Sequence, residues 1–337
     1  MPPLALRPDE ARAVLGAVLG DRFGPRTALM SCVAMPLSRR GRQRVVRYDF
    51  AARLPGPGEI FRDRWVGKFY PRAEDARRAG AVLRELAATG CCRRGRMLIP
   101  AVLGHYPPRR VVMLRFEPGE SVIPRLAEPG GAAATAIGRA LAALHAARVA
   151  APEITAAALL DALVPRLEQL SDTFPERAMG LRRELDRLRR SEPPDPPAAV
   201  FLHGDLGPAQ LRWQEGRLVL LDFDKCGRGD PALDLGTLLT QLYRVARRRP
   251  EKLPDFAGVR ASILAAYAAE SPPDRGLARR VTWYERAALL RKILLLLTDT
   301  GRGNGHGERE RRREEGVRLL TDLASGARAP GEAGDGA

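Results

Sequence analysis

The sequence has little cysteine, little histidine and almost no lysine. Its four cysteines (Cys32, Cys91, Cys92 and Cys226) show no CxxC spacing, and the vicinal pair Cys91 and Cys92 is poorly placed to bridge itself, so reduced thiols are expected. The four histidines (His105, His145, His203 and His306) are too scattered for a zinc site, and any metal is expected to be bound by oxygen. Aromatic residues are only 5% of the chain and accompany no base-stacking motif or zinc finger, which argues against nucleic acid as a partner. No apolar run approaches the ~20 residues that span a bilayer. The longest, Ala287 to Thr298, is interrupted by Arg291 and Lys292, so no membrane association is expected. The opening MPPLALRPDEARAVLG lacks a basic start followed by an apolar stretch and a small-residue cleavage site, and a cytoplasmic location is expected. GxxxxGK[ST] occurs nowhere, which excludes a P-loop.

What the chain has in excess is arginine. With four lysines among 56 basic residues, 52 are arginine, and against 40 acidic residues the formal net charge is +16. GC-rich coding bias would produce such usage. Whatever its origin, a basic surface favours anionic partners and repels polycations.

At 337 residues the chain is long enough for two lobes. PDEARAVLGAVLG, residues 8 to 20, places Ala11, Val14, Leu15, Val18 and Leu19 at helical spacing behind an acidic first turn, which predicts a leading helix. Ala28 to Leu37, Val45 to Leu54 and Ile60 to Tyr70 read as strands separated by SRRGRQR and PGPG, an antiparallel meander. A helix is expected over Arg77 to Ala88, then extended stretches at Met97 to Val102 and Arg110 to Phe116. EPGES, residues 117 to 121, breaks the pattern, and the remainder of the chain is mainly helical apart from short strands at Ala198 to Leu202 and Leu218 to Phe223. The fold class is α+β, with lobes over 1–116 and 117–325 and a disordered tail over 326–337.

Those last two strands flank FLHGDLGPAQLRWQEGRLVLLDFDKCGRGDPALDLG, residues 201 to 236, which carries five aspartates: Asp205, Asp222, Asp224, Asp230 and Asp234. Phosphoryl transfer from a nucleotide needs a divalent metal on carboxylate or amide oxygens, a group that orients the acceptor hydroxyl, and a cation on the donor phosphates. Asp205 in HGD stands five residues before Gln210, and a strand then leads to Asp222 in DFD. An isolated HGD or DFD would be read as a turn; linked motifs in this order are not explained that way.

The segment resembles the aminoglycoside phosphotransferase and choline kinase family, relatives of protein kinases, whose pattern is HGDxxxxN, a DF pair, then GDPxxD. The likeness rests on His203 to Gln210, Asp222 to Asp224 and Gly229 to Asp234; GRALAALHAARV and VVMLRFEPGESV extend it to the helix before the catalytic region and to the interlobe hinge. The resemblance implies a two-lobed protein-kinase-like fold, with a small N-terminal antiparallel sheet lobe and a larger, mainly helical C-terminal lobe. It further implies that Asp205 takes or orients the hydroxyl proton and that Asp222 binds Mg2+ bridging the phosphates of ATP or GTP. Gln210 stands where the family usually has Asn, which keeps an amide oxygen for the metal on a longer side chain. The resemblance also implies that His203, Asp230 and Asp234 are structural supports, with Asp234 bracing the HGD backbone; Asp230 has the form of an N-cap before Pro231.

Lys68 in RWVGKFYP lies in the third strand, where the family's nucleotide lysine is found, and a compact ammonium retained in an arginine-rich chain favours that role. Glu85 or Glu74 is the expected partner of Lys68, Glu85 being preferred. No GxGxxG lies between the first two strands; SRRGRQR occupies that turn, where Arg40 or a neighbour could touch phosphates, or form a plain basic turn. The resemblance leaves the acceptor open between a small molecule and a peptide hydroxyl, and the net charge counts against a polycationic aminoglycoside. Gln210 keeps a pseudokinase or nucleotide-binding module as the alternative.

Overall fold

The computed structural model describes residues 8–38, 44–56, 59–93, 97–193, 196, 198–298 and 306–324. The chain divides into two compact units, one of Met1–Gly119 with Val219–Asp224, the other of Glu120–Leu218 with Lys225–Ala337. The boundary expected at 116/117 thus lies three residues later, and a short piece of the later chain belongs to the first unit. Among the described residues no helix is long and apolar enough to cross a membrane.

The first unit holds α1 (Pro8–Phe23), β1 (Ala28–Ser38), β2 (Arg44–Arg53), β3 (Ile60–Phe69), α2 (Ala73–Ala87), α3 (Gly90–Arg93), β4 (Val102–Tyr106) and β5 (Val111–Arg115). The strands form an antiparallel sheet in the order β1-β2-β3-β5-β4. The apolar stripe of α1 (Ala11, Val14, Leu15, Val18 and Leu19) is buried against Tyr48, Phe50, Trp65, Leu103 and Met113 of the sheet. Each such leucine removed from water contributes about 1.5–3 kcal/mol. Gly104 on β4 permits the close approach, since a Cβ there would come within 2.4 Å of Val18.

The stretch expected as a strand from Met97 behaves differently. Pro100 has no N–H for a ladder; the strand starts at Val102, and of the earlier residues Leu98 makes a single parallel bridge to Val219. Arg110 is not a strand residue either: at φ 54° it closes the turn between β4 and β5. Helix α2 starts at Ala73, four residues before the expected Arg77, with Glu74 and Asp75 in its first turn, where acidic groups favour a helix start.

The second unit holds β6 (Glu120–Ser121), α4 (Ile123–Leu126), α5 (Ala132–His145), α6 (Ala156–Asp161), α7 (Val164–Thr173), α8 (Pro175–Arg190), β7 (Val200–Leu202), β8 (Leu211–Gln214), β9 (Arg217–Leu220, whose end lies in the first unit), β10 (Gly227–Gly229), α9 (Ala232–Arg248), α10 (Phe256–Glu270), α11 (Leu277–Thr298) and α12 (His306–Ala324). Antiparallel pairing of β10 with β7, through Gly227↔Leu202, Arg228↔Phe201 and Gly229↔Val200, fixes where the HGD loop leaves its strand. The expected tail, 326–337, lies outside the described residues.

Candidate active site

Lys68 sits in β3, paired in register with Val45 of β2 and Val112 of β5, on the face opposite Trp65. It is 7% exposed. The N–H of Leu220 donates to the Leu98 carbonyl at 2.9 Å, which ties the residues leading to Asp222 into the same unit. There the Lys68 ammonium lies 2.5 Å from Asp222 Oδ1 and 2.6 Å from Asp224 Oδ2. The Tyr70 hydroxyl donates to the other Asp224 oxygen at 2.9 Å. Burial, then Asp224, pushes the Tyr70 phenol well above its ordinary range, so it remains a donor.

Asp222 has φ 72°, a left-handed conformation that costs a side-chain-bearing residue about 1–2 kcal/mol. Its carboxylate is 49% exposed, unlike that of Asp224 at 13%. The strained residue is therefore the one that presents oxygen outward.

The partner expected for Lys68 is corrected. Glu85 and Glu74 are exposed on α2, whose buried face is Ala76, Gly80, Val82, Leu83 and Leu86, and the ion pairs of Lys68 go to Asp222 and Asp224 instead. Helical spacing puts position 85 on the solvent side between Leu83 and Leu86. Arg40 lies outside the described residues.

In the second unit the HGD loop is anchored from α9. Asp234, fully buried, accepts the backbone N–H of His203 at 2.7 Å and of Gly204 at 2.9 Å. His145, at the end of α5, contacts Asp234 Oδ2 at 3.3 Å and the Tyr267 hydroxyl at 2.9 Å. Burial drives the Asp234 carboxyl up, but His145 together with His203 more than reverses this and holds it below the usual carboxylate range. Asp230 accepts the Ala232 N–H at 3.0 Å and pairs with Arg280 at 2.8 Å, while Pro231 takes the cap position itself. Burial leaves its carboxyl raised despite these partners.

Gly204 has φ 79°, and a Cβ on it would lie 2.0 Å from the Lys225 carbonyl oxygen. The glycine of HGD is required twice over, by conformation and by space. The next residue, Asp205, is 37% exposed. Lys225 donates to Asp205 Oδ2 at 2.7 Å, and both terminal nitrogens of Arg291 lie 3.2 Å from Oδ1. Burial raises the Asp205 carboxyl, and Arg291 with Lys225 outweighs it, leaving the group below its ordinary range and ionised at neutral pH. Gln210 closes a 3-10 turn, Pro208–Gln210, with its amide oxygen 3.3 Å from where a Gly207 Cβ would stand, beside Gln241 of α9.

Sequence reasoning missed Tyr70, Lys225 and Arg291. Lys225 had a signal, being one of four lysines and directly after DFD. Arg291 had none: it stands 86 positions from Asp205, among many arginines.

The sheet-and-helix units and these motifs define a protein-kinase-like phosphotransferase fold. The chain belongs to the phosphotransferase enzyme family, whose family model matches residues 56–279, and is thus a phosphotransferase with an alcohol group as acceptor. Among solved structures it is similar to the macrolide 2'-phosphotransferase MphH from Brachybacterium faecium, with 22% identity, TM-score 0.58, and coverage of 90% of this chain and 97% of that one. It is also similar to the amicoumacin kinase hAmiN in complex with AMP-PNP, Ca2+ and Ami, with 13% identity, TM-score 0.63, and 96% of each chain covered. A third is a thermostable mutant of aminoglycoside phosphotransferase APH(4)-Ia in ternary complex with ADP and hygromycin B, with 17% identity, TM-score 0.59, and coverage of 93% and 99%. At these identities the likeness establishes the fold. No curated protein sequence matches the chain.

Proposed function

We propose that the protein moves the γ-phosphate of ATP or GTP, with Mg2+, to a hydroxyl of a small molecule or peptide other than a polycationic aminoglycoside. The observation that carries this reading is Asp205: an ionised, partly open carboxylate on a loop clamped by Asp234. A carboxylate so held is ionised and can accept a hydrogen bond from an acceptor hydroxyl, orienting it. Lys68 supplies the cation for the donor phosphates, and its buried setting against two carboxylates fixes its direction.

Asp222 in the first unit and Gln210 in the second each carry an oxygen donor of the kind a hard divalent ion takes, and the outward-facing Asp222 carboxylate is the natural first ligand. Such an ion would neutralise charge on the donor phosphates. In the reaction Asp205 accepts the acceptor's hydroxyl proton as its oxygen bonds to the γ-phosphorus. The bond from that phosphorus to the bridging oxygen breaks, and the nucleoside diphosphate leaves. The structures of relatives holding ADP, or AMP-PNP with Ca2+, support a nucleotide donor.

Incubation with γ-labelled ATP or GTP, Mg2+ and a metabolite extract tests the reading, with transfer to an acid-stable, hydroxyl-linked product expected. Complete absence of transfer and of nucleotide hydrolysis would leave the nucleotide-binding module. That alternative is favoured by one observation, the lack of a glutamate partner for Lys68 on α2.

A further inference from the structure

The cations around Asp205 exceed what its own charge needs. Arg291 reaches it with two nitrogens on one oxygen, both at 3.2 Å, longer than a good charge-assisted bond and without the fork geometry of a committed pair. Elsewhere in this unit arginines bind carboxylates tightly: Arg244 to Glu315 at 2.6 Å, and Arg280 to Asp274 at 2.5 Å. Arg291 is also 36% exposed, so part of its fork faces outward.

The next residue on α11 adds to the excess. Among the described residues no hydrogen bond or ion pair engages Lys292. Burial pushes its ammonium down to about 8, with Arg244, Arg312 and Arg291 adding to the effect and Glu315 alone opposing it. Arg244 is pushed down as well, chiefly by burial. Lys225 and Arg291 face Asp205, while Arg244 and Arg248 pair with Glu315, close enough to Lys292 for Arg244, Arg291 and Glu315 all to act on it. A surplus of cations around two carboxylates attracts a further anion.

We propose that Arg291 is a specificity-determining residue that reads an anionic group on the acceptor, so that the substrate is a small hydroxyl compound bearing a carboxylate or phosphate close to the reacting hydroxyl. The anion takes the guanidinium fork of Arg291 and leaves Asp205 Oδ1 free for the hydroxyl proton. Lys292, next in the chain and close enough for Arg291 to act on it, adds long-range attraction. The proposal rests on the phosphotransferase reading, and it inverts the usual demand of a polycationic acceptor for an acidic pocket.

The test uses the full chain without nucleotide or Mg2+, so it does not depend on turnover. With 13C-lysine labelling only four lysines report, and inorganic phosphate and malonate are titrated separately. Saturable binding that moves the Lys292 signal and raises its titration midpoint is expected. Arg291→Gln should weaken it about tenfold, and Arg291→Lys should retain most of it. Lys68→Met, which alters the donor lysine, should leave the response in place. Tighter binding of phosphate than of malonate assigns a phosphorylated acceptor, and the reverse a carboxylated one. No saturable binding to the wild type, or equal binding to Arg291→Gln, overturns the proposal. Failed phosphoryl transfer with anion binding intact overturns the kinase reading instead.

Discussion

The Asp234 carboxylate, in the first turn of α9, accepts the His203 backbone N–H at 2.7 Å. With the Gly204 N–H on its other oxygen, it holds the loop that carries Asp205 from a fully buried position. Replacing it separates the support of the loop from its chemistry.

Asp234→Asn keeps the size but offers one acceptor oxygen to two N–H groups, and is expected to cost about 1–3 kcal/mol in urea unfolding. Asp234→Ala should cost about 3–5 kcal/mol, because it also strands His145. The pH dependence follows from a folded pKa below the unfolded one. The stabilisation is complete above the unfolded value of about 3.9 and is lost as pH falls through the lower folded value. A stability curve of the same shape in Asp234→Asn would show that the group contributes nothing.

Gly204 and Gly216 form a controlled pair. Both have positive φ, 79° and 77°, but a Cβ on Gly216 meets nothing within 4 Å while one on Gly204 strikes the Lys225 carbonyl. Gly216→Ala should cost about 1–2 kcal/mol from conformation alone. Gly204→Ala should cost several times that, or fail to fold, by thermal denaturation. Equal losses would mean that the loop moves aside freely.

Asp205→Asn and Asp222→Asn should both abolish transfer, for different reasons. The first removes the proton acceptor, lowering turnover by about 10²–10⁴-fold with nucleotide affinity retained. The second should weaken nucleotide binding chiefly when Mg2+ is present. Calorimetry that finds the same nucleotide and metal binding in both variants contradicts that division.

Gln210 tests whether a longer amide serves the metal. Gln210→Ala should reduce turnover strongly with an unchanged melting curve, since its side chain is only part-buried on a short turn. Gln210→Asn should keep part of the activity. If an inactive wild type gained transfer from Gln210→Asn, the catalytic reading would give way to a binding module.

Much of the fold was legible because its signals are local. The spacing of Ala11, Val14, Leu15, Val18 and Leu19 specifies one buried face of α1 whatever that face packs on. Alternation along β2 buries Val46, Tyr48, Phe50 and Ala52, and the turn segments between strands set up the meander. Of the residues singled out in the ordered motifs from His203 to Asp234, the support of the HGD backbone by Asp234 is what the structure shows, since that bond ties a strand end to a helix start. Errors fell where a local cue competes with another, as at Pro100, which breaks a stretch otherwise fit to extend.

Which charges meet was decided by tertiary structure alone. Lys68 had two glutamates within a few turns of chain, yet it bonds carboxylates 154 and more positions away, because α2 turns Glu85 to solvent while Val219–Asp224 joins the sheet unit. Arg291 carries no mark that separates it from 51 other arginines. It meets Asp205 only because α11 delivers it there. Periodicity records which side of an element is buried; the pairing of distant charges depends on where folding brings those sides, and composition holds no trace of it.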